Sequence, residues 1–197
     1  MTPQLRELKR RLKTFGVSSC HVRRRNIISF SAQKWTDDDP LVPRDTMLFF
    51  HYPDESAAER WAARELDRTT GVHGAACRAP EERWVFVSDD GHVYVMGQGD
   101  DGAEKPVGAK LQINAVKSIG GFAYVVGAGR AVFRRTGPNR WLRLSDAAMA
   151  RGEPDALGFD DIDGFSERDV YACGGRGHLW SFDGHAWRRR NVPTDRG

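Results

Sequence analysis

Six histidines and three cysteines are the residues of this sequence best suited to metal binding or nucleophilic chemistry. His73 and Cys77 are four residues apart, a spacing that would bring two metal ligands together on a helix. A zinc site needs three or four ligands, however, and the segment around this pair is rich in glycine. A cysteine nucleophile needs a nearby base, and the sequence indicates no histidine partner for Cys173. We therefore predict no catalytic residue, no metal site and no cofactor.

Adjacent aspartates are the second set of residues that could do chemistry, because a glycosidase uses two carboxylates opposed across a pocket. They occur at 37–39, 89–90, 100–101 and 160–161, with a further aspartate at 163. One carboxyl of a catalytic pair must have a raised pKa, and adjacent aspartates in loop segments do not indicate that arrangement. Aspartate is a frequent turn former, so we interpret these pairs as solvated turns.

Basic residues are concentrated at the start of the chain. Residues 1–35 hold nine lysines and arginines against the single acid Glu7, whereas the whole chain of 197 residues has a formal charge of only +3. A further arginine run occupies 188–190. Arginine can bind carboxylate or phosphate through two parallel hydrogen bonds. A solvated surface, an acidic protein partner and a nucleic acid are the three interpretations, and the last is the weakest because no nucleic-acid motif accompanies the clusters.

Length and composition predict a soluble protein with one core domain and an extension. No apolar run approaches the roughly 20 residues of a membrane helix, and the first residues lack the apolar stretch of a signal peptide. The three cysteines are odd in number and lack CxxC spacing, which fits a reducing compartment. We therefore expect a cytoplasmic location and no membrane partner.

Three segments share one frame, which indicates an internal repeat. They read "RWVFVSDDGHVYVMG" from Arg83, "FAYVVGAGRAVFRRTGPNRW" from Phe122 and "DVYACGGRGHLWSFDGHAW" from Asp169. In each, a run of β-branched and aromatic residues meets a tight turn and then a second alternating run. Further strands are predicted in "LQINAVKSI" and "FDDIDGF", ahead of the second and third segments. Four short strands per unit, at spacings of 39 and 47 residues, are typical of the blades of a β-propeller.

The repeat frame also assigns roles to single residues. His92 and His178 occupy the same repeat position directly after a turn glycine, which favours a structural role for both. Cys173 aligns with Val87 and Val126, so the frame predicts a buried cysteine in place of a core aliphatic residue.

The first 70 residues do not join the repeat and are predicted to form an α+β extension. Four apolar residues recur at helical spacing on the basic start of the chain, which predicts an amphipathic helix. These residues are Leu5, Leu8, Leu12 and Phe15. Strands are predicted at 26–35 and 47–52. Ser56 followed by Glu59 matches a capping box, and the segment that contains it predicts a helix over residues 54–68.

The repeat units resemble a bacterial β-propeller repeat. Its blades read as an apolar innermost strand, then D-V-Y-A-V-G, a G-x-x-G turn and D-G-x-x-W, in the style of photosystem II stability-factor repeats. The likeness is carried by "INAVKSIGGFAYVVGAGRAVFRRTGPNRW" and "FDDIDGFSERDVYACGGRGHLWSFDGHAW", and less well by the first unit, which ends without a tryptophan. The resemblance implies a mainly β fold with about three four-stranded blades, over residues 71–107, 111–145 and 158–195. It implies no active site, because such scaffolds serve many functions.

Three blades are fewer than the four to eight that close a propeller ring, so open sheet surfaces are expected. The N-terminal strands, another chain or a second copy would cover them, or the chain is part of a longer propeller. The sequence leaves these alternatives open.

We hypothesise a non-enzymatic module that binds another protein with an acidic surface, such as an inhibitor or immunity protein that blocks its partner. Two alternatives stay open: a hydrolase or lyase with a site at the propeller centre, and nucleic-acid binding through residues 1–35. Nine charged residues of the basic runs and predicted turns are the candidate partner contacts. They are Arg23, Arg24, Arg25, Asp89, Asp90, Arg130, Arg176, Arg188 and Arg190.

Overall fold

The protein, described here from a computed structural model, is mainly β and propeller-like, with four four-stranded antiparallel sheets and one short N-terminal helix. The described residues are 3–35, 44–57, 59–69, 71–97, 101–105, 107–108, 111–145, 149 and 158–193. The aspartates at 37–39 and Asp100 lie outside them. Contacts divide the chain into two compact units, residues 1–72 and 73–197. The predicted fold class is confirmed, and the N-terminal region contributes a fourth complete sheet.

The first unit consists of a helix on a sheet. Helix α1 spans Pro3–Leu12, and its apolar side packs Leu8 and Leu12 into one cluster with Met47 and Phe49. The first sheet has the order β1-β2-β3-β4, formed by Phe15–Arg24, Ile27–Lys34, Arg44–His51 and Trp61–Thr69. Among the described residues, no helix is long and apolar enough to cross a membrane.

The helix predicted over residues 54–68 is wrong, because residues 61–69 form strand β4. This strand pairs antiparallel with the buried strand β3, with Ala63 opposite Phe49. Ser56 Oγ does donate to Glu59 Oε2 at 2.7 Å, but both residues belong to the turn that leads into β4. The alanines, glutamates and arginines of this segment prefer helix, and pairing with a buried strand overrides that weak preference.

The second unit contains the three repeat sheets. The second sheet has the order β5-β6-β7-β8, formed by Val72–Cys77, Arg83–Ser88, Val93–Met96 and Gly102–Glu104. In the third sheet, β9 to β12 are Ile113–Ile119, Phe122–Gly127, Ala131–Gly137 and Arg140–Arg143, with a 3-10 turn at Ala128–Arg130. In the fourth sheet, β13 to β16 are Asp161–Ser166, Asp169–Gly174, His178–Phe182 and Trp187–Arg190.

Alternation along the strands of the third sheet sends side chains into two separate cores. On β10, Val125 packs with Val85 and Val87 of the second sheet. Its neighbour Tyr124 packs on the opposite face with Val170 of the fourth sheet. The second, third and fourth sheets are therefore stacked face to face, and the third is buried on both faces.

Repeat glycines allow the end of the second strand to lie against the segment that leads into the first strand of the same sheet. A Cβ at Gly127 would clash with the carbonyl oxygen of Gln112, and one at Gly174 with that of Gly158. The Phe159 N–H donates to the Gly127 carbonyl at 3.0 Å, so backbone hydrogen bonds join the third and fourth sheets there. Glycine is required at these positions by the close approach of another backbone.

Candidate binding surfaces

The first predicted cluster, residues 23–25, lies at the tip of the hairpin that joins β1 and β2. Arg24 and Arg25 are exposed, whereas Arg23 is buried at the end of β1. Consecutive strand residues point to opposite faces of the sheet, which explains why Arg23 is buried and Arg24 is exposed. Arg25 and Asn26 line a shallow cleft together with Pro53 and Asp54 from the loop that follows β3. The tip therefore presents two exposed guanidinium groups beside an open cleft.

The acidic turn after β6 contains Asp89 and Asp90. Asp89 is partly buried, and its Oδ1 lies 2.9 Å from Nε2 of His73. Asp90 is exposed, accepts a hydrogen bond from the Ser88 hydroxyl and lies 3.1 Å from Nδ1 of His92. Burial raises the pKa of Asp90, but the hydrogen bonds from Ser88 and His92 outweigh it and lower that pKa overall. The turn thus holds its negative charge near neutral pH through local contacts.

Arg130 is buried rather than exposed. It is 4% exposed and follows Gly129 in the tight turn between β10 and β11, with a φ of 55°. Its guanidinium donates to the Met149 carbonyl, lies 2.9 Å from His178 Nδ1 and stands over the Trp180 ring at 5.6 Å. These contacts join the third and fourth sheets, so Arg130 cannot offer its guanidinium to a partner. His178 is buried in the same contact, in agreement with the structural role predicted for it.

An ion-pair network joins the second and third sheets. Arg135 is 1% exposed, and its guanidinium donates to Glu104 at 2.6 Å and to Glu81 at 3.4 Å. Burial raises the pKa of Glu81, but hydrogen bonds from Arg83 and Arg135 outweigh it, so the net pKa lies below its ordinary value. The network borders a cleft of about 330 Å³. The sequence does not predict this network, because Glu81, Glu104 and Arg135 come from three distant segments.

The chemistry of this cleft does not match the hydrolase alternative. A glycosidase general acid needs a raised pKa, whereas Glu81 has a lowered one and shares Arg135 with Glu104. Within the part of the chain that the structure describes, no group of three histidines, cysteines or acids is placed to hold a metal ion.

The fourth sheet carries the remaining predicted arginines. Arg188 and Arg190 are exposed on strand β16, and Arg176 is exposed in the turn after β14. Arg188 pairs with Asp183 at 3.0 Å, and Arg190 Nε donates to Ser181 Oγ at 2.7 Å. Backbone N–H groups of Ala186 and His185 lower the pKa of Asp183, which keeps this partner charged. The two strand arginines are therefore held in place on the outer face of the sheet.

The three cysteines occupy two different environments. Cys77 lies on strand β5 rather than on a helix, and burial raises the pKa of its thiol to about 12. Cys173 is exposed, so its predicted burial in the core is wrong. Its counterparts Val87 and Val126 are buried between neighbouring repeat sheets, whereas Cys173 lies on the exposed face of the fourth sheet.

Comparison with solved structures shows the fold. YCF48 from Cyanidioschyzon merolae matches 96% of this chain and 74% of its own length, with a TM-score of 0.55 and 13% identity. PorZ, a surface component of the type-IX secretion system of Porphyromonas gingivalis, matches 91% of this chain and 21% of its own, with a TM-score of 0.54 and 14% identity. The Aleuria aurantia lectin AAL matches 87% of this chain and 59% of its own, with a TM-score of 0.52 and 16% identity. The predicted resemblance to β-propeller repeat proteins is confirmed.

Comparison with characterised sequences gives one informative relative. The immune protein Tsi7 of Pseudomonas aeruginosa is 33% identical to this chain over 138 residues, which make up 66% of this chain and 44% of that protein. The chain thus spans less than half the length of this relative. No family model matches the chain. The chain is therefore a β-propeller-like protein with sequence similarity to an immune protein.

Proposed function

We propose that this protein is an immunity protein that binds a cognate toxin protein and blocks its action without catalysing a reaction. The similarity to the immune protein Tsi7 is the observation that carries this proposal. The fold agrees with it, since stacked four-stranded sheets present loops and edges as binding surfaces. The cytoplasmic location expected from the sequence belongs to the same proposal.

The hairpin tip is our proposed main contact with the toxin. Arg24 and Arg25 are exposed there, and Arg25 makes no hydrogen bond or ion pair with another described residue. An arginine in this state can form a two-bond pair with a carboxylate without first breaking an internal contact. Arg25 differs in this respect from Asp90, Arg188 and Arg190, which have polar or charged partners within the chain. The contact predicts an acidic surface on the toxin.

The test begins by capturing the tagged protein from its source cells and identifying the protein that is bound at a fixed ratio. That candidate is then produced in a host that lacks this protein, with and without the immunity protein. We expect the candidate alone to stop growth and co-production to restore it. A harmless candidate, or toxicity that co-production leaves unchanged, would overturn the proposal.

Charge-reversal variants locate the contact. We expect Arg24→Glu with Arg25→Glu to weaken toxin binding by at least about tenfold, because each close charged contact contributes about 1.5 kcal/mol or more. Arg140→Glu with Arg168→Glu is the matched control, since both residues are exposed and the change in net charge is the same. Equal loss of binding in both double variants would show that net charge, and not the hairpin tip, controls recognition.

A further inference from the structure

The outer face of the fourth sheet is the most distinctive exposed surface of the second unit. Strand pairing places its outward side chains in rows: Asp161 and Asp163 on β13, Tyr171 and Cys173 on β14, Leu179 and Ser181 on β15, and Arg188 and Arg190 on β16. The opposite face, with Val170 and Ala172, is buried against the third sheet. The outer face therefore has an acidic row, a central row of mostly uncharged side chains and a basic row.

This outer face corresponds to the face of the third sheet that packs against the fourth sheet. By register, Tyr171 corresponds to Tyr124 of the third sheet, and Phe165 lies at the register irregularity of β13 between Gly164 and Ser166. Tyr124 is 0% exposed because the fourth sheet covers it, whereas Tyr171 is 41% exposed and Phe165 is 90% exposed. Large apolar groups in such a position mark an interaction surface.

The charges on this face are arranged to complement a second copy of the same face. The rows on β13 and β16 lie about 14 Å apart, since three strand spacings separate them. A two-fold axis parallel to the strands, placed between two such faces, brings β13 of one copy opposite β16 of the other. The acidic row of each copy then meets the basic row of its partner, and the central strands meet each other.

We propose that two copies of this protein associate through the outer faces of their fourth sheets. Within its own copy, Asp161 lies 3.6 Å from Nζ of Lys117. Asp161 and Asp163 of each copy pair with Arg188 and Arg190 of the other, and Phe165 and Tyr171 lose their contact with water. The contacts of Arg188 with Asp183 and of Arg190 with Ser181 hold the basic row in position before association. This self-association is independent of the proposed toxin contact, which lies in the first unit.

The experiment uses analytical ultracentrifugation of the full chain over a range of concentrations. One variant, Asp161→Arg with Asp163→Arg, makes the whole face basic. The other, Arg188→Glu with Arg190→Glu, makes the whole face acidic. We expect wild type to dimerise, each variant alone to dimerise at least about tenfold more weakly, and an equimolar mixture of the two variants to form a heterodimer.

Two further variants are compared in the ultracentrifugation experiment: Phe165→Ser, which tests the apolar contact, and a control that changes net charge away from the face. Phe165 contributes no buried core contact, so the first substitution leaves folding intact and is expected to weaken the dimer. Arg140→Glu with Arg168→Glu should leave dimerisation unchanged. Circular dichroism of every variant confirms that the sheets have formed.

A monomeric wild type across the concentration range would overturn the proposal, as would a variant mixture that does not associate. Loss of toxin binding in the acidic-face variant, with wild type monomeric, would assign the face to the toxin instead. The same variants should still protect cells from the toxin, so failure of self-association and failure of the immunity function give different results.

Discussion

The third and fourth sheets come from the same repeat, yet one is buried on both faces and the other on only one. In the third sheet, Tyr124 and Val126 are completely buried between sheets. At the equivalent positions of the fourth sheet, Tyr171 is 41% exposed and Cys173 is exposed. The frame of a repeat thus determines where a side chain points, and the neighbouring sheet determines whether it is buried.

The inner strands show the same difference in their residue types. Ala115 of β9 is buried toward the fourth sheet, and its register equivalent in β13 is the exposed Asp161. A carboxylate is costly to bury in an apolar core, whereas Asp161 is exposed and lies 3.6 Å from Nζ of Lys117, so it is compatible with an outer face. The fourth sheet is therefore adapted to a polar contact on that side.

The largest expected effect comes from the ion pair that joins the third sheet to the second. We predict that Arg135→Met destabilises the protein by about 3–5 kcal/mol, because Glu104 would be left buried without its partner. Lys117→Met, which removes the exposed pair with Asp161 at the other face of the third sheet, should cost less than about 1 kcal/mol. Urea unfolding at neutral pH measures both, and equal losses would contradict the difference between the two faces.

Two apolar residues, Ile119 of the third sheet and Phe165 of the fourth, test the difference between a buried and an exposed sheet face. Ile119→Ala should lower the free energy of unfolding by about 2–5 kcal/mol, since Ile119 fills the core between the third and fourth sheets. Phe165→Ala, at the exposed end of β13, should change it by no more than about 0.5 kcal/mol. Both are measured below the concentration at which self-association begins. A large loss for Phe165→Ala would mean that this face is already covered within one chain.

The free energy of unfolding should also depend on pH through the ion-pair network of Arg135 with Glu81 and Glu104. The folded-state pKa of Glu81 lies below its ordinary value of 4.5, so the stability contributed by the ionised form is present above that value and is lost as pH falls below it. We predict a decline in the free energy of unfolding below about pH 4.5 that is less steep in Glu81→Gln. Identical pH profiles for wild type and variant would show that Glu81 is not the titrating group.

Thiol labelling gives the smallest and most local test. Cys20 and Cys173 are exposed and Cys77 is buried, so a maleimide should label two thiols in the native protein and the third only in denaturant. The raised pKa of Cys77 lowers its thiolate fraction further. Rapid native labelling of all three thiols would contradict the buried core between the second and third sheets. A Cys77→Ser variant identifies the slow thiol.

The repeat sheets could be predicted from the sequence because periodic apolar runs and turn glycines define strands locally. The innermost strands β9 and β13 were predicted in this way. The strand β4 was missed, because a segment rich in alanine, glutamate and arginine prefers helix until it pairs with β3. Strand β1 was not recognised, since its serines and arginines interrupt the alternation of apolar residues.

The candidate sites could be predicted only in part, because burial depends on contacts between distant segments. Arg130 was predicted to be at the surface, and its burial depends on Met149 and His178. Cys173 was predicted to be in the core, and it is exposed because it lies on the face of the fourth sheet opposite the buried residues Val170 and Ala172. The partner role of Arg24, Arg25, Asp90, Arg176, Arg188 and Arg190 stays a prediction.

Protection of cells from the captured toxin candidate is the decisive test of the proposed immunity function. Growth of a susceptible host is measured with the candidate alone, with wild type and with Arg24→Glu Arg25→Glu. We expect arrest with the candidate alone, recovery with wild type, and little recovery with the variant. Equal growth arrest with and without the wild-type protein would contradict the immunity function.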